Sequence, residues 1–160
     1  MKVSDSNAKR HALDEFMLSK RTRTQPCILV IEDYTDSREM LKLLLEGADY
    51  RVITARDGKE ALALAACENI DLILTDLGLP DMSGVTLVRA LRRLNNHLSH
   101  VPIIVLTAFE GSEEHISPIH GWCTAYLKKP LDFDELEGLL NGYLREPVGK
   151  HGHEAIALVR

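Results

Sequence analysis

The chain has 160 residues, 45% of them hydrophobic and 27% charged, which suits one folded domain with short flanking segments and excludes a largely disordered chain. Its formal charge of −5 is uneven: residues 1–26 carry six Lys or Arg against three acids, a balance of +3, so the remainder carries −8. Such an acidic body is a poor match for nucleic acid, and no apolar run approaches the roughly 18 residues of a membrane span.

The first residues, Met-Lys-Val-Ser-Asp-Ser-Asn, hold no apolar core of the signal-peptide kind, so a cytoplasmic protein is expected. Cys27, Cys67 and Cys123 stand singly, without a Cys-x-x-Cys pair, and read as reduced and mostly buried. Residues 1–26 form an arm, partly ordered or a short helix, in which Leu13, Phe16 and Met17 share one helical face. The basic run from Lys20 to Arg23 then leads to Gln25-Pro26, where proline favours an extended backbone.

From Cys27 a rhythm begins. Cys27 to Ile31 reads as a buried strand ended by Glu32-Asp33, and a helix from about Asp36 to Glu46 follows, with Asp36 as N-cap, Glu39 completing a capping box and Gly47 closing it. Tyr50 to Thr54 is the second strand. Asp57 with Glu60 opens an Ala- and Leu-rich helix through Ala66. The third strand is the apolar run before Asp76, followed at once by the breakers Gly78, Pro80 and Gly84. Ser83 caps a helix over about Val85 to Leu94, with Leu87 and Leu91 one turn apart. Pro102 to Leu106 is a fourth strand ended by Thr107, and Ser112 to His120 starts a helix that Pro118 cuts short. Ala125 to Lys128 is the fifth strand, and Asp132 with Glu135 caps a last helix through about Leu144, despite Gly138 and Gly142 inside it.

Five strands alternating with five helices predict an α/β, doubly wound, five-stranded parallel sheet of flavodoxin-like order 2-1-3-4-5. Domain limits follow: the arm over 1–26, the domain over 27–145 and a Pro- and Gly-bearing tail over 146–160. Parallel strands point one way, so Glu32, Asp33, Asp76, Thr107 and Lys129 are all expected at the carboxyl edge, where ligands bind in open α/β sheets. Three carboxylates in one crevice repel each other, and a divalent cation relieves that repulsion. Oxygen donors without His or Cys point to Mg2+, with Lys129 and Thr107 placed to balance and donate to a phosphoryl group.

The residues Ile-Leu-Val-Ile-Glu32-Asp33, Thr-Asp76-Leu-Gly-Leu-Pro-Asp-Met-Ser-Gly, Ile-Val-Leu-Thr107-Ala108 and Tyr126-Leu-Lys-Lys129-Pro130 together carry a resemblance. Over roughly residues 26–145 the chain resembles the receiver domain of two-component response regulators. The resemblance implies that Asp76 accepts a phosphoryl group from a sensor histidine kinase or a histidine phosphotransfer protein. It implies that Asp33, Asp76 and the Gly78 backbone carbonyl ligate Mg2+, with Glu32 acting mainly through ordered water. It assigns Lys129 to the phosphoryl group, and Thr107 with Tyr126 to a switch that reshapes the face of the fourth helix, fifth strand and fifth helix. That face is also the place for a possible homodimer. The chain departs from the family pattern between Thr107 and Gly121, which is about one residue short and contains Pro118, and Gly78 and Phe109 fall where side chains modulate phosphoryl loss.

Such a domain is a phosphoacceptor that catalyses its own phosphoryl transfer and loss, not a conventional enzyme. A phosphorylation-independent interaction module is the alternative. An aspartyl-phosphate phosphatase of the haloacid dehalogenase kind wants a second aspartate two residues after the nucleophile, where this chain has Gly78. His97, His100, His151 and His153 form no converging ligand set in the sequence.

Overall fold

The computed structural model describes residues 25–94, 97–108 and 121–145. In chain order the elements are β1 (Cys27–Ile31), α1 (Thr35–Gly47), β2 (Arg51–Ala55), α2 (Gly58–Cys67), β3 (Leu72–Asp76), α3 (Gly84–Leu94), β4 (Ile103–Thr107), β5 (Ala125–Lys128) and α4 (Phe133–Leu144). All strand pairs are parallel, and the order is β2-β1-β3-β4-β5, the expected one. The arm over 1–24, the helix expected over Ser112–His120 with Phe109, and the tail over 146–160 lie outside the described residues.

Side-chain alternation along the strands divides the interior into two cores, one on each sheet face. Leu29, Ile31, Ile73, Ile103 and Val105 pack against α2 and α3 through Ala61, Ala65, Leu87, Val88 and Leu91. Ile28, Val30, Leu72, Leu74, Ile104 and Leu106 pack instead against α1 and α4 through Leu41, Leu45, Leu136 and Leu140. Strands covered on both sides explain why their sequences are unbroken apolar runs rather than alternating ones.

Two of the three capping boxes hold in part and one fails. Asp57 accepts from the Glu60 amide at 2.8 Å, while the Glu60 carboxylate reaches the Arg56 amide rather than that of Asp57. Asp132 accepts from the Asp134 and Glu135 amides, and Ser83 Oγ accepts from the Thr86 amide at 3.1 Å. Asp36, however, lies inside the first turn of α1, whose N-cap is Tyr34 without a side-chain cap bond. The helix starts earlier because Arg38 donates back to the Glu32 and Asp33 carbonyls and pulls the turn onto the strand end. At the other end Gly47 is still helical, and Asp49 takes the left-handed conformation with φ 68°. Cys27 is buried, but Cys123 is half-buried and Cys67 exposed, so the cysteines are less buried than expected.

The loop after β3 is folded tightly against the sheet edge. Gly84 donates to the Leu77 carbonyl, and a Cβ on Gly84 would lie 2.6 Å from Leu77 Cα. A Cβ on Gly58 would meet only the flexible end of Met82. Gly84→Ala is therefore expected to cost about 1–3 kcal/mol in urea unfolding, and Gly58→Ala less, because a thioether moves aside and a backbone does not.

Candidate functional site

Strand ends build the site. The carboxyl ends of β1 and β3 are register neighbours, the last residue of β1, Ile31, lying opposite the penultimate residue of β3, Thr75, so Glu32 and Asp33 follow β1 beside Asp76. Ligand oxygens of Glu32, Asp33 and Asp76 all lie within 4.8 Å of one another. Glu32 is buried at 2% exposure, Asp33 is exposed and Asp76 is half-buried. The three thus grade from the sheet interior to solvent.

Lys129, one residue past β5, reaches across β4 into this set. Its Nζ donates to Glu32 Oε2 at 2.8 Å and to Asp76 Oδ2. Burial alone would lower its pKa, but the hydrogen bonds to Asp76 and Glu32 outweigh that and hold it above the ordinary lysine value. The backbone at this point is tied down as well, since the Lys129 amide donates to the Thr107 carbonyl at 2.7 Å and continues the β4–β5 ladder. Lys128, by contrast, is exposed.

The second oxygens of Glu32 and Asp76 are also engaged. Glu32 Oε1 accepts from the Tyr34 amide at 3.2 Å, and Asp76 Oδ1 accepts from the Gly78 amide at 3.0 Å. Gly78 bridges to Ser83, closing the loop beyond Asp76. Three carboxylates against one ammonium leave two formal negative charges in a hollow of oxygen donors, a set that fits a hard divalent cation.

Thr107 ends β4, is buried, and shares its sheet face with Tyr126, which pairs in register with Val105 two residues back. Tyr126 packs into the α2–α3 core with its hydroxyl buried beside the Cys123 thiol, and burial pushes its pKa well above the ordinary tyrosine value. So the structure brings Glu32, Asp33, Asp76 and Lys129 into one cluster, puts Gly78 against it, and sets Thr107 and Tyr126 on a neighbouring face.

Three contributors escaped the sequence. Arg38 locks the β1–α1 turn through the Glu32 carbonyl at 2.8 Å; its place seven residues past the strand marks nothing by itself. Asp81 accepts from the Gly58 and Lys59 amides, both at 2.9 Å, fastening the loop after β3 to the start of α2; these backbone bonds, Gly58 first, lower its pKa. Arg92 gives its guanidinium to the Trp122, Leu98 and Val101 carbonyls, holding the approaches to β4 and β5 on α3, and burial lowers its pKa. Among the histidines, His97 meets the Ile70 carbonyl at 2.8 Å, a structural contact. His151 and His153 lie outside the described residues.

Comparison with known proteins agrees with this geometry. The family model for the response regulator receiver domain matches residues 28–141. The polar-differentiation response regulator DivK of Brucella anthropi is 35% identical over 119 residues, which cover 73% of this chain and 94% of that protein. Among solved structures, the chemotaxis response regulator CheY4 of Vibrio cholerae superposes with a TM-score of 0.70 at 33% identity, covering 76% of this chain and all of that one. The receiver domain of a Pseudomonas aeruginosa sensor histidine kinase, which has a magnesium ion coordinated in its active-site cleft, gives 0.70 at 28% identity over 77% of this chain and 100% of that one. The chain belongs to the receiver-domain family of two-component signalling. No described helix is long and apolar enough to cross a membrane.

The raised pKa of Lys129 sets a pH dependence. Its stabilising contribution is whole below the ordinary value of 10.5 and is lost as pH rises through the higher folded value. The stability difference between wild type and Lys129→Met, from urea unfolding at stepped pH, is expected to shrink above pH 10.5. Buried tyrosines titrate in both proteins and cancel in the difference.

Proposed function

We propose that this protein is a phosphorylation-activated signalling switch in which Asp76 is the phosphoacceptor and Mg2+ the cofactor. The observation that carries the reading is the convergence of Glu32, Asp33 and Asp76 with Lys129 at the carboxyl edge of the sheet. A module that signalled by binding alone would have no use for three mutually repelling carboxylates around one lysine.

Asp33, Asp76 and the Gly78 carbonyl would hold the cation, with Glu32, already bound to Lys129 and the Tyr34 amide, shaping the site from beneath. When bound, Mg2+ supplies positive charge to the transferring phosphoryl oxygens. A carboxylate oxygen of Asp76 attacks the phosphorus of the donor's phosphohistidine. The new P–O bond forms as the P–N bond breaks, and the electron pair leaves with the imidazole. Lys129 exchanges its hydrogen bond with the Asp76 carboxylate for one to a phosphoryl oxygen, so its charge stays with the group that becomes more negative. Loss of the phosphoryl group by water attack on the same phosphorus resets Asp76. In both directions the protein positions and balances charge.

Thr107 and Tyr126 couple the site to an output surface in this reading. A phosphoryl group draws the Thr107 hydroxyl, and the Tyr126 ring on the same sheet face adjusts, shifting the population on the surface of β5, α4 and the segment preceding β5. The donor is a sensor histidine kinase or a histidine phosphotransfer protein, and the receiver of the output is a protein partner or a second copy in a homodimer. The setting is cytoplasmic, and residues 27–145 are the switch between the arm and the tail.

Incubation with Mg2+ and acetyl phosphate is expected to add one phosphoryl group to the wild type, read as intact mass, and none to Asp76→Asn. Full incorporation into Asp76→Asn would place the acceptor elsewhere. Asp33→Asn is expected to weaken Mg2+ binding at least about tenfold, measured by calorimetry, and to abolish the stabilisation that Mg2+ gives the wild type in thermal unfolding.

A further inference from the structure

One apolar face among the described residues has no partner. On α1, Met40, Leu43 and Leu44 are 48%, 68% and 42% exposed, and Phe133 at the start of α4 is 36% exposed. Leu41 and Leu45 of the same helix are buried, so α1 is apolar over far more of its circumference than its core contact uses. Between α1 and α4, Leu43, Leu44, Phe133, Leu136 and Leu140 line a groove of about 440 Å³. A second hollow shares Gly47, Ala48 and Glu137 with it and ends on Gln25 and Pro26. The chain therefore enters β1 at the foot of the groove.

We propose that this groove is the seat of the chain's own amino-terminal segment, residues 11–19, with Leu13, Phe16 and Met17 packed against Leu43, Leu44 and Phe133. Reach permits it. Residues 20–24 span at most about 17 Å when extended. A helix over residues 11–19 rises about 14 Å, against about 20 Å for the 13 residues of α1. The three apolar side chains stand at i, i+3 and i+4, the spacing that presents one stripe to a groove.

Charge fixes the occupant. Lys20, Arg21 and Arg23 lie just before Gln25 in the chain, and the acids Asp49 and Glu137 line the foot. The Gln25 side chain already donates to Asp49. Arg145 also lines the foot, donating to the Ala48 carbonyl and lying 5.0 Å from the Tyr50 ring centroid, and its one positive charge still leaves the two acids in excess. Arg145, the last described residue, is at the foot too, but residues 146–160 carry two cations and two acids and so no net charge to match those acids. A tether this short gives an effective concentration on the order of millimolar, so a weak contact suffices. Any partner that uses this face must displace the arm.

The test is photo-crosslinking in the full chain with benzoylphenylalanine in place of Leu43, mapped by mass spectrometry. The expected product is intramolecular, lands within residues 11–19 and has a yield independent of protein concentration. Carrying F16D and M17D together is expected to cut it at least about tenfold, since the burial of both side chains is lost. Those two substitutions lie outside the folded domain and leave the slow amide exchange of its five strands unchanged. Cross-links into residues 146–160, cross-links joining two chains, a product insensitive to the two substitutions, or none at all would overturn the proposal.

Discussion

The Lys129 ammonium, drawn between the carboxylates of Glu32 and Asp76, joins the end of β5 to the ends of β1 and β3 across the intervening β4. These contacts close over 97 and 53 residues of sequence, so they exist only once the whole sheet has assembled in its proper order. A carboxylate buried like Glu32 would be costly without a counter-charge, and Lys129 makes its burial tolerable. Lys129 is one cation among three carboxylates and bonds only Glu32 and Asp76 of the three among the described contacts, so the cluster keeps a negative formal charge with Asp33 on its exposed side. The site is thus held together and held short of neutrality by one side chain.

Everything around that contact serves to fix strand ends. Two separate cores clamp the sheet from both faces, so the positions of Glu32, Asp76 and Lys129 follow from packing of Leu, Ile and Val rather than from loops. The loops that do line the site are tied back to regular structure. Arg38 pins the turn after β1, Asp81 pins the loop after β3 to α2, and the Lys129 amide extends the β4–β5 ladder. In the proposed function this fixed edge, with Glu32 buried, Asp76 half-buried and Asp33 exposed, would balance the charge of phosphoryl transfer, and Thr107 and Tyr126, on the other face of β4 and β5, would carry the change to the surface.

The sheet was legible in the sequence because buried parallel strands write themselves as short apolar runs, and each run here ends in a polar residue that marks the carboxyl edge. That rule places Glu32, Asp33, Asp76, Thr107 and Lys129 at the carboxyl edge, and the structure has them at or just past the strand ends. Boundaries were less legible: β2 and β4 each lie one residue later than their apolar runs suggest, because pairing partners rather than hydropathy set strand ends. Asp36 misled because an acid three residues before Glu39 looks the same in sequence whether it caps a helix or sits inside its first turn. Arg38, Asp81 and Arg92 were invisible for a common reason. Each acts through backbone carbonyls or amides of distant segments, and backbone groups carry no sequence signature.

The central claim is that the half-buried carboxylate at the end of β3 is the atom group that takes the phosphoryl. Borohydride reduction of the acetyl phosphate-treated protein converts an aspartyl phosphate to homoserine, which tandem mass spectrometry locates in the sequence. The account predicts homoserine at position 76, dependent on Mg2+ during the phosphorylation step. Homoserine at position 33, or reduction at Glu32, with position 76 unaltered, would contradict it.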